Sequence, residues 1–454
     1  MQSLLAVNFG EIFGNLYEAM GFVQGTDWKN YVMLLISFIL MYLAIVKKFE
    51  PMLLLPIAFG MFLINIPGAE SVLWGKYDYS ATDVVLLENG SYLFTKTGEV
   101  LTAKIGENGL LEALLNADGK IILTPVFGET NEILKFVADH SYDLVTPSSR
   151  GLLWYLYFGV DKVIYPPLIF LGIGAMTDFG PLIANPKSML IGAGAQLGIF
   201  IAFILASVLG FSAAAAAATA IIGGADGPTA IMVTSKLAPD LISAIAVAAY
   251  SYMALIPIIQ KPLMKLLTTK KERAIRMKPL RQVSKLEKIL FPVVVTLVVG
   301  LILPDSITLL GMLMLGNLMK ESGVVDRLST QAQNGLMNTI TIFLGVSVGC
   351  KAKGSVFLSP ETLAIIAIGL FAFILGTIGG LLVAKIMCLV TKGKINPLIG
   401  SAGVSAVPMA ARISEDVGRE YDPQNHLLMH AMGPNVAGVI GSAIAAGVLL
   451  ACFA

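Results

Sequence analysis

The chain has little charge for its length. Of its 454 residues only 13% are Asp, Glu, Lys or Arg, whereas 56% are hydrophobic and the mean hydropathy is +0.79. So few charged groups cannot cover the apolar surface of a water-soluble protein of this size, and the sequence therefore predicts a polytopic membrane protein. The net charge of +1 also gives no indication of nucleic-acid binding.

Cysteine is equally scarce. Cys350, Cys388 and Cys452 lie in or beside apolar segments and show no CxxC spacing, which argues against a disulfide framework and a zinc site. We interpret them as small buried residues. The first thirty residues lack the basic start and cleavage site of a signal peptide, and their stretch FGEIFGNLYEAMGF predicts a short interfacial helix before the first span.

Long apolar runs, in contrast, are abundant. A helix needs about 20 mostly apolar residues to cross ~30 Å of hydrocarbon. We predict ten spans, near 30–47, 51–67, 152–176, 188–209, 240–259, 289–304, 306–319, 337–350, 361–390 and 424–451. Two further apolar segments, 213–234 and 396–412, are interrupted by Gly, Pro and polar residues. The predicted fold is all-α, with about ten transmembrane helices and two broken or re-entrant segments.

Between Trp74 and Arg150 the sequence changes character. The stretches VVLLENGSYLF and NADGKIIL each join β-prone runs through Asn-Gly or Asp-Gly, residues that accept the positive φ of a tight hairpin turn. This predicts a small water-exposed α+β insert. Residues 76–150 hold eleven acidic and six basic side chains, whereas 261–288 holds ten basic and two acidic ones. The positive-inside rule therefore predicts an extracytoplasmic insert and a cytoplasmic loop 261–288.

The same rule constrains the first broken segment. Lys47 and Lys48 close the first span and are also predicted to be cytoplasmic, so an even number of crossings must separate them from the basic loop. Five apolar segments lie between, which means that one of them does not cross, and 213–234 is the candidate. Its interrupted backbone is tolerated at membrane depth only where protein or a watery cavity surrounds it.

The chain also repeats itself. IFLGIGAMTDFG from Ile169 matches IFLGVSVGCKAKG from Ile342, and GGADGPTAI matches GVSAVPMAA, with Pro228 opposite Pro408. Five spans per repeat, an odd number, predict that the second repeat is inverted, and broken helices in inverted repeats are typical of a midplane ion or substrate site. The predicted divisions are 1–67 (interfacial helix and two spans), 68–150 (insert), 151–260 (rest of the first repeat), 261–288 (basic loop) and 289–454 (second repeat).

Asp226 stands within the first broken segment. A carboxylate at membrane depth costs at least ~2.5 kcal/mol and is retained where it holds a cation, relays a proton or pairs with a base. Asp followed by Gly-Pro is equally typical of a helix cap. Asn396 and Ser405 at the second break, and Asn435 opposite Tyr252 in the repeat, favour the cation site. Such carboxylate, amide and hydroxyl oxygens suit Na⁺ and do not suit soft metals.

Arg412 follows the second break and has two interpretations. It is either an interfacial arginine that reaches the lipid headgroups or pairs with Glu415, or a guanidinium fork for an incoming carboxylate. His426 and His430 lie one helical turn apart, as in some zinc sites, but neither a cysteine nor a third ligand is near. We interpret the two histidines as solvated or packing residues.

Four motifs identify a family resemblance. GGADGPTAI, YSYMALIPIIQKPLMK, NPLIGSAGVSAVPMAARISE and HAMGPNVAGVIGSAIAAG closely resemble the β chain of the biotin-dependent Na⁺-pumping decarboxylases, which act on oxaloacetate, methylmalonyl-CoA, glutaconyl-CoA or malonate. The resemblance covers roughly 28–67 and 150–454. It implies a membrane subunit that decarboxylates carboxybiotin carried by a partner, exports Na⁺ and consumes a proton. The insert exceeds the loop expected of the family, and contact with an accessory chain is one interpretation of it.

The resemblance also implies residue roles. Asp226 matches a Na⁺ and proton site, Tyr252 and Ser405 match a polar pair tied to Na⁺ and proton passage, Arg412 matches an arginine associated with carboxybiotin, and Asn396, Gly400 and Asn435 match further functional positions. We accordingly predict Arg412, Tyr252 and Asp226 as catalytic residues. Asp226, Asn396, Ser405 and Asn435 are predicted to bind Na⁺, and Gly400 is predicted to be structural.

The sequence contains neither a biotinyl Ala-Met-Lys-Met motif nor a P-loop, and no cysteine is a candidate nucleophile. Biotin and the carboxyltransferase are therefore expected on partner subunits. A small single-span accessory subunit, a homo-oligomer, membrane lipid and a bacterial cytoplasmic (inner) membrane location complete the expectation. The main alternative is a secondary Na⁺-coupled carrier of a small carboxylate. A membrane scaffold without chemistry explains poorly why polar residues gather at both breaks.

Overall fold

The computed structural model describes a large part of the chain. It covers 27–48, 51–76 and 149–454, positions 14, 17 and 20, and the segments 78–80, 84–87, 90–95, 99–105, 110–115, 121–127 and 133–138. Positions 14 and 17 of the predicted interfacial helix are helical, and apart from these and position 20 it lies outside the described residues. The chain forms two compact units, one of Met1–Thr26 with Ile64–Leu156 and one of Asp27–Leu63 with Tyr157–Ala454.

Strands occupy the predicted insert. They are β1 (Gly75–Lys76), β2 (Asp78–Ser80), β3 (Val84–Leu86), β4 (Tyr92–Phe94), β5 (Glu99–Ile105), β6 (Leu111–Leu115), β7 (Ile121–Phe127), β8 (Ile133–Ala138) and β9 (Ser149–Arg150). Seven form an antiparallel sheet in the order β2-β8-β7-β6-β5-β4-β3, and β1 pairs with β9. The β3/β4 hairpin turns at Gly90, whose φ is +84°, and β6 pairs with β7 on either side of the Asp-Gly dipeptide. Both predicted hairpins are confirmed.

Helices make up the membrane part of the first half. They are α1 (Trp28–Ile45), α2 (Pro51–Ile64), the short α3 (Ala69–Leu73) before the strands, α4 (Leu152–Asp161), α5 (Tyr165–Met176), α6 (Gly180–Ala184), α7 (Met189–Ala195), α8 (Leu197–Val208), α9 (Ala213–Ala220), α10 (Gly227–Leu237), α11 (Ile242–Leu267) and α12 (Lys270–Arg273). Hydroxyl and carboxyl side chains cap the first turns of several helices. The Ser212 Oγ accepts from the Ala215 amide at 3.2 Å at the start of α9, and Asp226 caps α10.

The second half continues with helices. They are α13 (Lys285–Ile302), α14 (Ile307–Ser322), α15 (Asp326–Gln331), α16 (Met337–Gly349), α17 (Gly354–Phe357), α18 (Pro360–Val390), α19 (Met409–Tyr421) and α20 (Leu428–Phe453). Ser284 and Glu287 form a reciprocal capping box at the start of α13. The helix begins four residues before the predicted span at 289, because its charged first turn is helical too.

Fewer helices satisfy the requirements of a span than the sequence predicted. In the described part of the chain, four are long and apolar enough to cross a bilayer, namely Trp28–Ile45, Pro186–Val208, Pro360–Val390 and Leu428–Phe453. Two bent pairs raise the number to six if each is one span. They are Leu152–Asp161 with Tyr165–Met176, bent by 68°, and Pro239–Tyr252 with Leu255–Leu267, bent by 57°. The total of ten stays a prediction.

Both broken segments are interrupted where the sequence predicts. In the first, α9 passes into a 3₁₀ turn (Ile221–Gly224), Ala225 adopts a φ of +54°, and α10 restarts the helix. In the second, a 3₁₀ helix (Pro397–Gly403) gives way to extended backbone at Val404, and α19 begins after Pro408. The breaks are confirmed, whereas the inverted relation of the two repeats stays a prediction.

Glycines bring the two breaks together around α18. A Cβ on Gly376 would lie 2.9 Å from the Ala195 oxygen and 3.3 Å from the Gly223 oxygen, and one on Gly400 would lie 2.5 Å from the Gly380 oxygen. Side chains at these positions would separate the backbones. The Ser405 amide donates to the Gly224 oxygen at 3.2 Å, so the two interrupted segments are directly bonded.

The predicted orientation can be tested by labelling from each side of the membrane. We expect cysteines replacing Leu86 in β3 and Lys278 in the basic loop to react with an impermeant thiol reagent from opposite sides, because the charge balance of insert and loop sets the orientation. Leu86 is 61% exposed and Lys278 is exposed. Ser284 is avoided because it caps α13. The parent should carry Cys452→Ser, since Cys452 is exposed whereas Cys350 and Cys388 are buried. Labelling of both positions from one side would contradict the predicted topology.

Candidate functional site

Asp226 lies at the first break and is only 5% exposed. Its Oδ1 accepts from the Thr229 amide at 3.4 Å, which makes it the N-cap of α10, and its Oδ2 accepts from the Ser442 hydroxyl at 2.6 Å. The cap bond is long, so the hydroxyl supplies the stronger contact. No basic side chain in the described part of the chain forms an ion pair with this carboxylate.

Several oxygen atoms around the two breaks are buried without a hydrogen-bond donor. They include Ser405 Oγ and Asn435 Oδ1. The Asn435 amide nitrogen donates to the Val404 oxygen at 2.7 Å and the Ala402 oxygen at 3.0 Å, on either side of the Gly403 position, while its Oδ1 stays unpartnered. Buried polar atoms are normally bonded, so bare oxygens on the segments that meet at the two breaks are candidate ligands for a cation.

Ser442 is a polar residue at the Asp226 carboxylate beyond those that the sequence predicts. It lies in the motif HAMGPNVAGVIGSAI, seven positions after Asn435 on α20, and seven residues make two helical turns. This spacing places Ser442 on the same face of α20 as Asn435, which would have made it a candidate. Its pairing with Asp226 was not foreseeable, because the two positions lie far apart in the chain and meet only through the packing of α10 against α20.

Tyr252 lies on α11 and contacts α18 near the first break. Its hydroxyl donates to the Ile366 oxygen on α18, and its side chain is 5% exposed. A Cβ on Gly369 would lie 2.9 Å from both the Tyr252 ring and the Ile222 side chain, so the ring borders the 3₁₀ turn that precedes Asp226. The tyrosine is therefore near the first break, and its proton is engaged by a backbone carbonyl.

Asn396 and Gly400 organise the second break. The Asn396 amide nitrogen donates to the Arg273 oxygen at 3.0 Å and the Ile275 oxygen at 2.9 Å, while its Oδ1 accepts from the Leu398 amide at 3.0 Å. The side chain thus ties the 3₁₀ helix to the basic loop. Gly400 packs its backbone against Gly380 of α18, where a methyl group would collide. The structure brings neither residue into contact with Asp226.

Arg412 lies in the first turn of α19 and is exposed. The suggested pairing with Glu415 is not present, because that carboxylate accepts from the Leu428 amide at 2.8 Å, from the Leu427 amide and from His426 Nδ1 at 3.2 Å. Arg412 forms no ion pair with any described residue. Its guanidinium is therefore available to an external anion or to a lipid headgroup.

A cavity of about 740 Å³ opens beside the basic loop, and Arg412 does not line it. Its cations are already paired: Arg276 bonds Asp422, Arg281 bonds Glu287 at 2.8 Å, and Lys288 bonds Asp178 at 3.3 Å. The hydrogen bond from Arg281 lowers the Glu287 pKa to about 2. The cavity therefore offers little unneutralised positive charge to an anion.

His426 and His430 also border this cavity. His426 pairs with Glu415, whereas His430 Nδ1 is buried without a hydrogen-bond partner. Among the described residues, no three His, Cys, Asp or Glu side chains are placed to share a metal ion. The two histidines do not join the polar groups at the breaks.

Comparison with known proteins places these motifs in a wider context. The family described as "Na+-transporting oxaloacetate decarboxylase beta subunit" matches residues 29–453. The methylmalonyl-CoA decarboxylase subunit beta of Propionigenium modestum is 52% identical, with 97% of this chain and 98% of the relative covered. The oxaloacetate decarboxylase beta chain of Klebsiella pneumoniae is 53% identical, covering 92% and 94%. The glutaconyl-CoA decarboxylase subunit beta of Acidaminococcus fermentans is 49% identical, covering 96% of both chains.

Proposed function

The chain belongs to the family of Na⁺-transporting oxaloacetate decarboxylase β subunits, and from that premise we propose that it decarboxylates carboxybiotin delivered by a partner and couples this reaction to Na⁺ export and proton consumption. Its relatives are decarboxylase β subunits of Na⁺-translocating complexes, so it is a decarboxylase subunit that acts within a complex. The coupling, the carboxybiotin substrate and the residue roles are the proposal.

The observation that carries the proposal is the buried, unpaired carboxylate of Asp226 at a helix break. An ionised carboxylate without a partner at membrane depth costs several kcal/mol, which a bound cation or a proton would offset. Backbone at the break and the bare oxygens of Ser405 and Asn435 supply further hard ligands for Na⁺. We therefore propose Asp226, Ser405 and Asn435 as the core of a Na⁺ site.

Ser442 suits a site that alternates between Na⁺ and a proton. Its single hydroxyl proton has two acceptors, Asp226 Oδ2 at 2.6 Å and the Val439 oxygen at 3.0 Å. When Asp226 is ionised, the hydroxyl donates to the carboxylate. When Asp226 is protonated, the hydroxyl turns to Val439 and accepts from the carboxyl group. Both states of Asp226 thus keep a satisfied partner without backbone movement.

Arg412 is the proposed anchor for carboxybiotin. The substrate is an N-carboxylate that loses CO₂ once its ring nitrogen is protonated, so its site requires a cationic anchor, a proton donor and little water. A guanidinium without an internal ion pair meets the first requirement with a bidentate fork. Biotin itself is expected on a partner subunit, and this chain contributes the groups that receive it.

One continuous segment joins the two halves of the proposed mechanism. Ser405, bonded to Gly224 at the first break, and Arg412 both lie on the chain that follows the 3₁₀ helix. An anion drawn to Arg412 therefore acts on the same segment that completes the Na⁺ site. We propose that this segment communicates substrate binding to the ion site, with Asn396 holding its other end against the basic loop.

Tyr252 is the proposed proton relay. Its hydroxyl must leave the Ile366 oxygen before it can give up its proton. Asp226 at the neighbouring break is the proposed second group that holds a proton. Asn396, whose amide hydrogens are engaged, is proposed to act on the Na⁺ path at the loop side and not as a ligand beside Asp226. Gly400 is proposed to be structural at the site.

The alternative is a secondary carrier, which would move a small carboxylate with Na⁺ through the same site. The two functions are distinguished in proteoliposomes containing the complex purified with its native partners. We expect ²²Na⁺ uptake only when oxaloacetate, methylmalonyl-CoA, glutaconyl-CoA or malonate is decarboxylated, because the reaction drives the ion. Carboxylate uptake by this chain alone, driven by an imposed Na⁺ gradient, would identify a carrier instead. The acid that supports uptake also identifies the substrate.

A further inference from the structure

Gln196 is a polar residue in the middle of an apolar span. It separates α7 from α8 within the run MLIGAGAQLGIFIAFILA and is 6% exposed. Its amide nitrogen donates to the Gly438 oxygen of α20 at 3.0 Å, whereas its Oε1 is buried and has no hydrogen-bond donor. A primary amide is planar, so the bond to Gly438 also fixes the direction of the bare oxygen.

The Gln196 oxygen faces the first break. A Cβ on Gly224 would lie 3.6 Å from Gln196 Oε1 and 3.4 Å from the Ser442 Cβ, so the oxygen and Ser442 border the same position. The Ser442 hydroxyl in turn bonds Asp226 Oδ2 at 2.6 Å. The oxygen therefore lies beside the residues that surround the Asp226 carboxylate.

Gln196 and Asn435 share one arrangement. In each, the amide nitrogen is bound to backbone carbonyls and the amide oxygen is buried without a donor. The first comes from the first half of the chain and the second from α20. Two neutral amide oxygens held in fixed positions are typical of cation ligands, since they replace water around the ion without adding charge.

We propose that Gln196 Oε1 is a ligand of the same Na⁺ ion that Asp226 binds. This inference rests on the proposed function and adds a ligand from α7 and α8, which carry no other candidate. Since the Gln196 amide also bonds to α20, the ion would connect the first break to α20 and to the junction of α7 and α8. Bare amide oxygens also occur elsewhere among the described residues, so it is the position of Oε1 beside Gly224 and Ser442 that favours the ligand role.

The test compares variants at Gln196 in the whole complex. Gln196→Leu removes the oxygen, and we expect the half-saturating Na⁺ concentration for decarboxylation to rise about tenfold or more, the usual effect of losing a supporting group at an ion site. Gln196→Glu keeps an oxygen at this position: a protonated carboxyl can donate to the Gly438 oxygen as the amide does, and an ionised one adds charge that attracts Na⁺, so its half-saturating concentration should stay at or below the parental value. The stabilisation by Na⁺ relative to K⁺, read as a thermal unfolding midpoint, should change in the same order.

Gln260 provides the matched control. It is a fully buried glutamine whose nitrogen donates to the Ser401 oxygen at 2.9 Å and whose Oε1 is also bare. Gln260→Leu should keep the parental half-saturating Na⁺ concentration. If Gln196→Leu also keeps it, or if Gln196→Glu raises it, the ligand role is wrong. Should the leucine variant fail to assemble, the glutamate variant decides alone.

A parallel measurement separates this inference from the proposed function. If Asp226→Asn abolishes Na⁺ uptake while Gln196→Leu responds to Na⁺ as the parent does, only the additional ligand is wrong. If Asp226→Asn transports Na⁺ normally, the ion site itself is elsewhere.

Discussion

Asp226→Asn is expected to abolish Na⁺ transport and Na⁺-stimulated decarboxylation together, while the folded complex stays intact. The substitution removes the charge of a buried carboxylate that no basic residue in the described part of the chain neutralises. Without it, nothing compensates for the dehydration of Na⁺, and no group at this position exchanges the ion for a proton. Both activities should fall, because in a coupled pump decarboxylation does not proceed unless Na⁺ is transported.

The structure explains why the asparagine variant should fold. Asp226 also caps α10, but through a bond of 3.4 Å to the Thr229 amide, and the asparagine oxygen can accept the same bond or the one from Ser442. Asn and Asp are about equally good caps, so the loss of stability should be ~1 kcal/mol or less. A residue that served only as a cap would therefore be replaced with little consequence.

The measurement is paired ²²Na⁺ uptake and decarboxylation in proteoliposomes that hold the whole complex. Asp27→Asn is the matched control, because Asp27 caps α1 by accepting from the Lys29 amide at 3.1 Å and is exposed. This control should behave as the parent in both assays. Retained Na⁺ uptake in Asp226→Asn would remove Asp226 from the ion path and leave it as a helix cap.

Local chemistry made much of the fold predictable. Asn-Gly and Asp-Gly identified both hairpins, since few other residues accept the turn geometry, and Gly90 does adopt a positive φ. The interruptions in the two broken segments were equally visible, because Gly, Asp and Pro are unusual inside apolar helices. Features that depend on one or two adjacent residues therefore follow from the sequence.

Features that depend on distant packing did not follow. The predicted span 152–176 is two helices bent by 68°, and hydropathy averaged over the window hid the bend although Asp161 and Lys162 lie at it. At the site, the pairing of Asp226 with Ser442 and the bridge from Gln196 to Gly438 join elements from opposite halves of the chain. Residue types indicated candidate oxygens, but only tertiary structure shows which of them lack a donor.

Arg412→Lys is expected to reduce decarboxylation by the complex roughly tenfold or more, the effect of losing one hydrogen bond to a charged group. Lysine keeps the positive charge but loses the two parallel donors that match a carboxylate. The half-saturating Na⁺ concentration should change much less than the rate, because the exposed Arg412 is not itself one of the proposed Na⁺ ligands and acts on the ion site only through the segment that joins them. The rate of CO₂ release at varied Na⁺ measures both quantities at once.

Arg419→Lys is the control for the general effect of replacing an exposed arginine of α19 by lysine. Arg419 lies seven residues, or two turns, further along α19 and is also exposed, so it shares the helix face and the charge of Arg412 but not its place after the second break. An interfacial arginine that only contacts headgroups tolerates lysine, which reaches them equally well. If Arg412→Lys decarboxylates at the parental rate, as Arg419→Lys should, then Arg412 is such a residue and the carboxybiotin anchor lies elsewhere. If only the change at Arg412 slows CO₂ release, with a much smaller change in the Na⁺ response, then the arginine acts on the anion, and the ion site and the anion site are separate places on one segment.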